Sequence, residues 1–391
     1  MSETKFPEVD AEVEATDAED LKRRVDAGES VAIVDTREPE DFETWHIEAP
    51  TVTNVNLPYH EFFDGLDADL EARIPDAETI YVVCAIGRSS EYVAKVLTKA
   101  GYHATNLADG MEGWARLYEH TDVTLPTGTL VRQYRRPSSG CLAYMVVSED
   151  EAAVVDPLRA FTDQYLVDAD ELGVRIEYVL DTHVHADHVS GLRELADAAG
   201  ATMVLPRAAA ERGATYADEA RLVEGGERLP LGNTAIAVRH TPGHTSGMTT
   251  YRVDDAIAMT GDTLFVDSVA RPDLEEGDEG ATAAAEQLYE TLQERVLTLP
   301  DDTLVAPAHY GGDTEPREDG AYLTTVGEVT ASLALLGVDR ETFVERVLAD
   351  MPPRPANYEE IIETNLGRAT ASDEDAFTME LGPNNCSAGG D

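Results

Sequence analysis

Lysine, aromatic residues and cysteine are all scarce in this chain, and positive charge is far outnumbered by negative. Among 391 residues there are 29 lysines and arginines against 77 aspartates and glutamates, a formal net charge of −48. A surface this acidic repels a phosphate backbone, which excludes DNA or RNA as a partner. The only lysines are Lys5, Lys22, Lys95 and Lys99; the other cations are arginines, whose rigid forks bond carboxylates better. In dilute buffer such a charge destabilises the compact state. At about 1 M ionic strength the Debye length falls to roughly 3 Å and the repulsion becomes tolerable. A halophilic cytoplasm is therefore the expected setting. No uninterrupted apolar stretch reaches about 18 residues, and no apolar run follows a basic N-terminal patch, so neither a membrane span nor secretion is expected. Cys84, Cys141 and Cys386 lie far apart without the regular spacing of a disulfide framework, and each is read as a free thiol.

The length favours two domains. Residues 1–16 are acidic and poor in apolar side chains, which predicts a solvated tail. Over 17–122, β-rich runs such as Val31–Val34 and Thr79–Val83 alternate with helical patterns such as Glu91–Ala100, which predicts a small parallel α/β domain. Residues 123–130, with Pro126 and Gly128, are read as a linker. The second domain is expected over 131–369. Its β-rich runs at 142–147, 152–155, 176–180, 234–238, 248–253, 256–259 and 304–306 mostly end near a histidine or aspartate, as strand ends that build a site do. Helical patterns at 282–297, 326–336 and 340–351 would cover the sheets. Residues 370–391 are small, polar and acidic, and a loose tail is expected there.

Thr182-His183-Val184-His185-Ala186-Asp187-His188 places four potential ligands within six residues, directly after a buried-looking strand. His183 and His185 share a side if the chain is extended, while Asp187 and His188 suit the first turn of a following helix. Downstream, His244 follows a Pro-Gly turn, Asp262 follows a strand in Gly261-Asp262-Thr263, and His309 ends Pro307-Ala308-His309. All seven are residue types that bind first-row metals, and histidines satisfied in an apolar core do not explain such density.

As an ordered set these motifs resemble the metallo-β-lactamase superfamily, from about Thr127 to Leu366. The resemblance implies an αββα sandwich with the metal at one edge between two β-sheets, in a superfamily that includes dinuclear zinc hydrolases and mononuclear iron oxygenases. Val269-Ala270-Arg271-Pro272-Asp273 is similar to the Gly-Arg-Thr-Asp segment of the persulfide (sulfur) dioxygenases, with Arg271 and Asp273 matching. Cys141 with Tyr144, Asp156-Pro157 and the 353–358 stretch are similar to that family too. The family implies one Fe(II) per chain on His183, His244 and Asp262, with His185, Asp187, His188 and His309 as supporting groups or ligands of a second metal. It implies catalytic work for Asp187, His188 and Arg271. A facial triad of this kind leaves positions open for substrate sulfur and O2.

In the first domain, Val82-Val83-Cys84-Ala85-Ile86-Gly87-Arg88 puts a cysteine at a strand end, before a tight loop and a helix. Backbone N–H groups and the positive end of the helix dipole favour the thiolate there, Arg88 adds charge, and the thiolate could carry a sulfane sulfur. With Asp35-Thr36-Arg37-Glu38, His46-Ile47 and Leu107–Trp114, the segment from about Asp20 to Leu117 resembles the rhodanese family. Cys84 and Arg88 are the catalytic candidates it implies. A buried inert thiol is the bland alternative for Cys84; for Cys141 that alternative is favoured, and Cys386 is read as incidental.

The first functional expectation is oxidation of a low-molecular-weight thiol persulfide with O2 to sulfite and thiol, coupled to rhodanese-type sulfur transfer. The second is a thioester hydrolase resembling glyoxalase II, the hydroxyacylglutathione hydrolases, with one or two Zn(II) and an accessory rhodanese-like domain. The third makes the first domain a sulfur carrier or docking module. Apart from the metal, no cofactor site is expected. The partners expected are a persulfide or thioester and O2, and self-association into a homo-oligomer stays open.

Overall fold

The computed structural model describes residues 6–349 and 351–388, and the chain divides into two units, Met1–Leu117 and Tyr118–Asp391. In the first unit five strands lie in the order Glu14–Thr16, Ala104–Leu107, Ile80–Val83, Val31–Asp35, Val52–Asn56, and every neighbouring pair is parallel. The central strands read as unbroken apolar runs because helices cover a parallel sheet on both faces. Helix Arg88–Ala100 buries Tyr92, Val93, Val96 and Leu97 on one stripe and ends at Gly101 in the left-handed region.

The tail expected over 1–16 is partly ordered. Glu14–Thr16 pairs with Thr105–Leu107, and Phe6, Val9 and Val13, spaced among the acids, pack on the core, with Phe6 stacked on Tyr92. A sheet edge supplied backbone partners that composition does not reveal. Residues 1–5 of that tail and 389–391 of the other lie outside the described residues.

The second unit contains two facing sheets. One runs Arg221–Val223, Thr202–Pro206, Arg175–Leu180, Glu151–Val155, Cys141–Ser148, Leu130–Arg136, Glu119–Thr124; the other runs Arg228–Leu231, Thr234–His240, Thr249–Val253, Ile257–Gly261, Leu304–Pro307, Thr324–Thr325. Alternating apolar residues of both sheets, among them Leu142, Tyr144, Val155, Leu180, Ile236, Val238, Tyr251 and Met259, form the layer between them. The outer face of the first sheet packs on helices Thr162–Leu172 and Leu192–Ala199; that of the second packs on Gly277–Thr291, Val326–Ser332 and Arg340–Ala349. This is the expected αββα sandwich behind a parallel α/β domain. The helix expected to reach Met351 is traced to Ala349, and Asp350 lies outside the described residues.

Two boundaries differ from expectation. Residues 123–130 are not a linker: Glu119–Thr124 pairs antiparallel with Leu130–Arg136, and Pro126 to Thr129 make the hairpin turn, closed by Leu125 N–H donating to Thr129 O at 2.9 Å. Pro126 and Gly128 do mark a turn, but a hairpin and a linker share such residues. Nor is 370–391 loose over its described residues, 370–388. Helix Asp373–Met379 buries Ala376, Phe377 and Met379, and Ser387–Ala388 pairs with Val269–Ala270. Too few apolar side chains lie there to advertise burial in one dimension.

Candidate metal centre and thiol loop

The ligand-rich segment 181–191 connects strand Arg175–Leu180 to helix Leu192–Ala199 and is pinned by side chains from distant parts of the unit. Asp156, in the left-handed region after strand Glu151–Val155, accepts from Thr182 N–H at 2.6 Å and from Thr182 Oγ1 at 2.9 Å, and meets His185 Nε2 at 3.0 Å. Asn365 Nδ2 donates to the carbonyls of His185 (3.0 Å) and His188 (2.9 Å), and its Oδ1 accepts from Ser190 N–H at 2.9 Å. Glu380 accepts from Val189 N–H at 3.0 Å. Ser190 Oγ donates to Asp181, whose carboxyl burial pushes up to about 6. Asp187 and His188 therefore sit in a braced loop and not on the first turn of a helix, which begins only at Leu192.

The hydrogen bonds around the histidines leave specific lone pairs free. The Thr182 hydroxyl gives its proton to Asp156, so its oxygen accepts from His183 Nδ1 at 2.8 Å, and the lone pair of His183 lies on Nε2. His244 Nδ1 donates to Arg271 O at 2.8 Å, which again leaves Nε2. His244 stands on a turn only glycine permits: a Cβ on Gly243, at φ 146°, would lie 2.5 Å from Leu288 Cα. Asp262 follows strand Ile257–Gly261, and its Oδ1 accepts from His309 Nδ1 at 2.7 Å.

What remains is three buried atoms without hydrogen-bond partners: His183 Nε2, His244 Nε2 and Asp262 Oδ2. The carboxylate oxygen lies 3.7 Å from the first and 3.5 Å from the second, and all three are within 4.8 Å of one another. Orphaned buried donors and acceptors are costly, and three that converge in this way fit a shared metal ion. Burial, joined for His183 by repulsion from His185 and His244, holds both rings below the ordinary histidine range, in the neutral form that a metal requires.

His309 is placed differently. Its Nδ1 faces Asp262 Oδ1 and its Nε2 faces Asp187 Oδ2, each at 2.7 Å, so both nitrogens donate and the ring is an imidazolium. Burial pulls against that charge, but Asp187 and Asp262 outweigh it and raise His309 well above its usual range. His185 Nδ1, His188 Nε2 and Asp187 Oδ1 are also buried without hydrogen-bond partners, and Asp187 and His188 offer ligand atoms within 4.8 Å of one of His309. Cys141 Sγ donates to Asp187 Oδ2 at 3.1 Å, and Cys386 lies within 4.8 Å of ligand atoms of Asp262 and His309. Cys141 and Cys386 thus border the centre, contrary to the incidental reading of Cys386; pairing of strand Ser387–Ala388 carries the tail there.

Arg271 also departs from its expected role. Its guanidinium is buried and donates through Nε and Nη2 to Asp273 and through Nη1 to the carbonyls of Pro353 and Asn385. It clamps the segment whose carbonyl orients His244. Asp273 also accepts from Arg354 at 2.8 Å, which ties the 353–358 stretch to the same segment. Asn365 and Glu380 escape a reading of the sequence. A lone asparagine in a helix and a glutamate in an acidic tail carry no motif.

In the first unit Cys84 ends strand Ile80–Val83 and is 3% exposed, and Ser90 Oγ donates to its Sγ at 3.1 Å. Met111 N–H donates to Cys84 O at 2.8 Å, and a Cβ on Gly110 would lie 2.2 Å from that oxygen, so glycine at 110 is what lets the two backbones touch. Asp35 and Arg37 form a buried ion pair at 2.7 Å, with Arg37 also donating to Trp45 O. Ile86 is exposed at the loop tip and Arg88 is exposed at the start of its helix.

Residues 137–309 match the metallo-beta-lactamase superfamily and residues 17–117 match the rhodanese-like domain. The mitochondrial persulfide dioxygenase ETHE1 of Bos taurus is 32% identical over 260 residues, covering 64% of this chain and 92% of that protein. The human enzyme of the same name is 31% identical over 247 residues, covering 61% and 87%. The crystal structure of ETHE1 from Myxococcus xanthus matches with a TM-score of 0.53 at 29% identity, covering 61% of this chain and 99% of that one. The chain therefore belongs to the persulfide dioxygenase family of metallo-β-lactamase-fold enzymes and carries a rhodanese-like domain ahead of the metal-binding fold.

Proposed function

We propose that this enzyme oxidises a low-molecular-weight thiol persulfide with O2, and that one Fe(II) per chain is held by His183, His244 and Asp262. One persulfide, one O2 and one water give one thiol and one sulfite with release of protons. The sulfur–sulfur bond breaks and the terminal sulfur is oxidised. The observation that carries this reading is the pairing of three convergent orphan atoms with a His309 whose two nitrogens are already donated. Three donors on one side of an ion leave its other positions open. Iron, when bound, supplies the activation of O2 and of the persulfide sulfur.

The chain's own residues do the rest. Thr182 and the Arg271 carbonyl fix both histidine tautomers, and the His309 imidazolium holds Asp262 so that only Oδ2 faces the ion. Asp187, linked to His309, His188 and Cys141, offers a proton route beside the three donor atoms. We assign Cys84 the transfer of sulfane sulfur, its thiolate attacking an outer sulfur and releasing the donor.

The test is elemental analysis of anaerobically purified protein, then oxygen consumption with a small-thiol persulfide. Iron near one per chain and persulfide-dependent uptake are expected. Zinc-only protein with no uptake after iron reconstitution would sink the proposal. One observation favours the glyoxalase II-like alternative: Asp187, His188 and His309 offer ligand atoms within 4.8 Å of one another and could serve a second Zn(II). Two zinc ions per chain with thioester hydrolysis would decide for it.

A further inference from the structure

Against a net charge of −48, one cavity of about 580 Å³ in the second unit is lined by arginines. Ile236 and Val238 face the layer between the sheets, so strand alternation turns Arg239 outward. Arg239 lies opposite Thr250, and Arg252, two positions along the paired strand, shares its face. Arg295, from the wide helical turn Leu292–Val296 after helix Gly277–Thr291, lines the same cavity and donates one bond, from Nη1 to His240 O at 2.6 Å.

These cations are short of counter-charge. Among the described residues no hydrogen bond or ion pair engages the Arg239 guanidinium, whose pKa burial lowers first and repulsion by Arg252 and Arg295 lowers further. Arg252 meets only the largely exposed Asp255, at 3.0 Å through Nη2, and its buried Nε has no partner. Of the acids lining the cavity, Glu224 is taken by Arg207, and Glu211 is exposed. In a chain with more than twice as many acids as bases, the guanidinia of Arg239 and Arg295, left without carboxylates among the described residues, call for a ligand.

We propose that this cavity is an anion site for an oxyanion of the sulfate or phosphate class, free or as the terminal group of a small molecule, bound by Arg239 and Arg295. Guanidinium forks match such oxygens two at a time. The site is distinct from the metal centre and does not depend on the reaction proposed there.

The test is isothermal titration of the full chain in concentrated KCl with potassium sulfate, phosphate and glycerol phosphate. Saturable binding at one site per chain is expected, weakened about tenfold or more by Arg239→Gln and by Arg295→Gln, as loss of a charge-assisted bond implies. Arg175→Gln, on the other sheet and already paired with Glu151 and Glu177, should leave it unchanged. Tighter binding of the ester than of the inorganic ions identifies a larger ligand, the reverse order a free anion, and either supports the site. Absence of saturable binding, or wild-type affinity in both variants, overturns it. Selenate soaked into crystals probes the site without substitution: an anomalous peak between Arg239 and Arg295 supports it, and none there overturns it.

Discussion

Arg136 and Glu380, 244 positions apart, form an ion pair at 2.7 Å from which water is excluded. The pair joins strand Leu130–Arg136 to the C-terminal segment, and the second oxygen of Glu380 holds Val189 in the ligand loop. Removing one partner of such a pair strands a buried charge, at a cost of about 3–5 kcal/mol. Glu380→Ala should therefore lose roughly that much in denaturant unfolding of the metal-loaded protein. A change under about 1 kcal/mol would show the pair to be dispensable.

The four residues around the proposed ion should separate into two groups. His183→Ala, His244→Ala and Asp262→Ala each remove a donor, so metal content and oxygen uptake should both vanish. His309→Gln removes only the group that orients Asp262, and metal affinity or activity should fall about 10–100-fold, as for other residues that support a ligand. Elemental analysis beside oxygen uptake distinguishes them; full loss of metal in the glutamine variant would make His309 a direct ligand.

Cys84 is separable from the metal in the same way. Cys84→Ser should abolish sulfane sulfur transfer, measured with thiosulfate as donor and cyanide as acceptor, while persulfide-dependent oxygen uptake persists. Unchanged transfer in the serine variant would reduce the first unit to a docking or carrier module.

The hairpin that replaced the expected linker carries its own pH signature. Asp122 accepts from Arg132 at 2.7 Å, and that bond chiefly holds its carboxyl below the usual range. A depressed folded-state pKa means stability that is present above the unfolded value of about 3.9 and lost as pH falls through the folded one. Asp122→Asn should therefore be less stable than wild type at neutral pH, with the gap closing only below about pH 4. A gap that is constant from neutral to acid pH would exclude this bond as its origin.

Much of this protein follows from its sequence read in one dimension. Apolar runs of three to six residues, mostly ending near a histidine or aspartate, located seven of the thirteen strands of the two facing sheets and pointed to the histidine- and aspartate-rich strand ends, because strand period and ligand chemistry are local properties. Turn chemistry was legible without its context: Pro126 and Gly128 mark a reversal, and only the pairing of Glu119–Thr124 with Leu130–Arg136 makes it a hairpin. Tertiary structure alone decided the protonation of His309, which depends on two carboxylates brought to it from Asp187 and Asp262. It also decided the fate of the acidic tail, where Glu380 finds Arg136 and Cys386 reaches the centre. A charge or a thiol has no fixed role until folding sets its distance to a partner and removes the water between them.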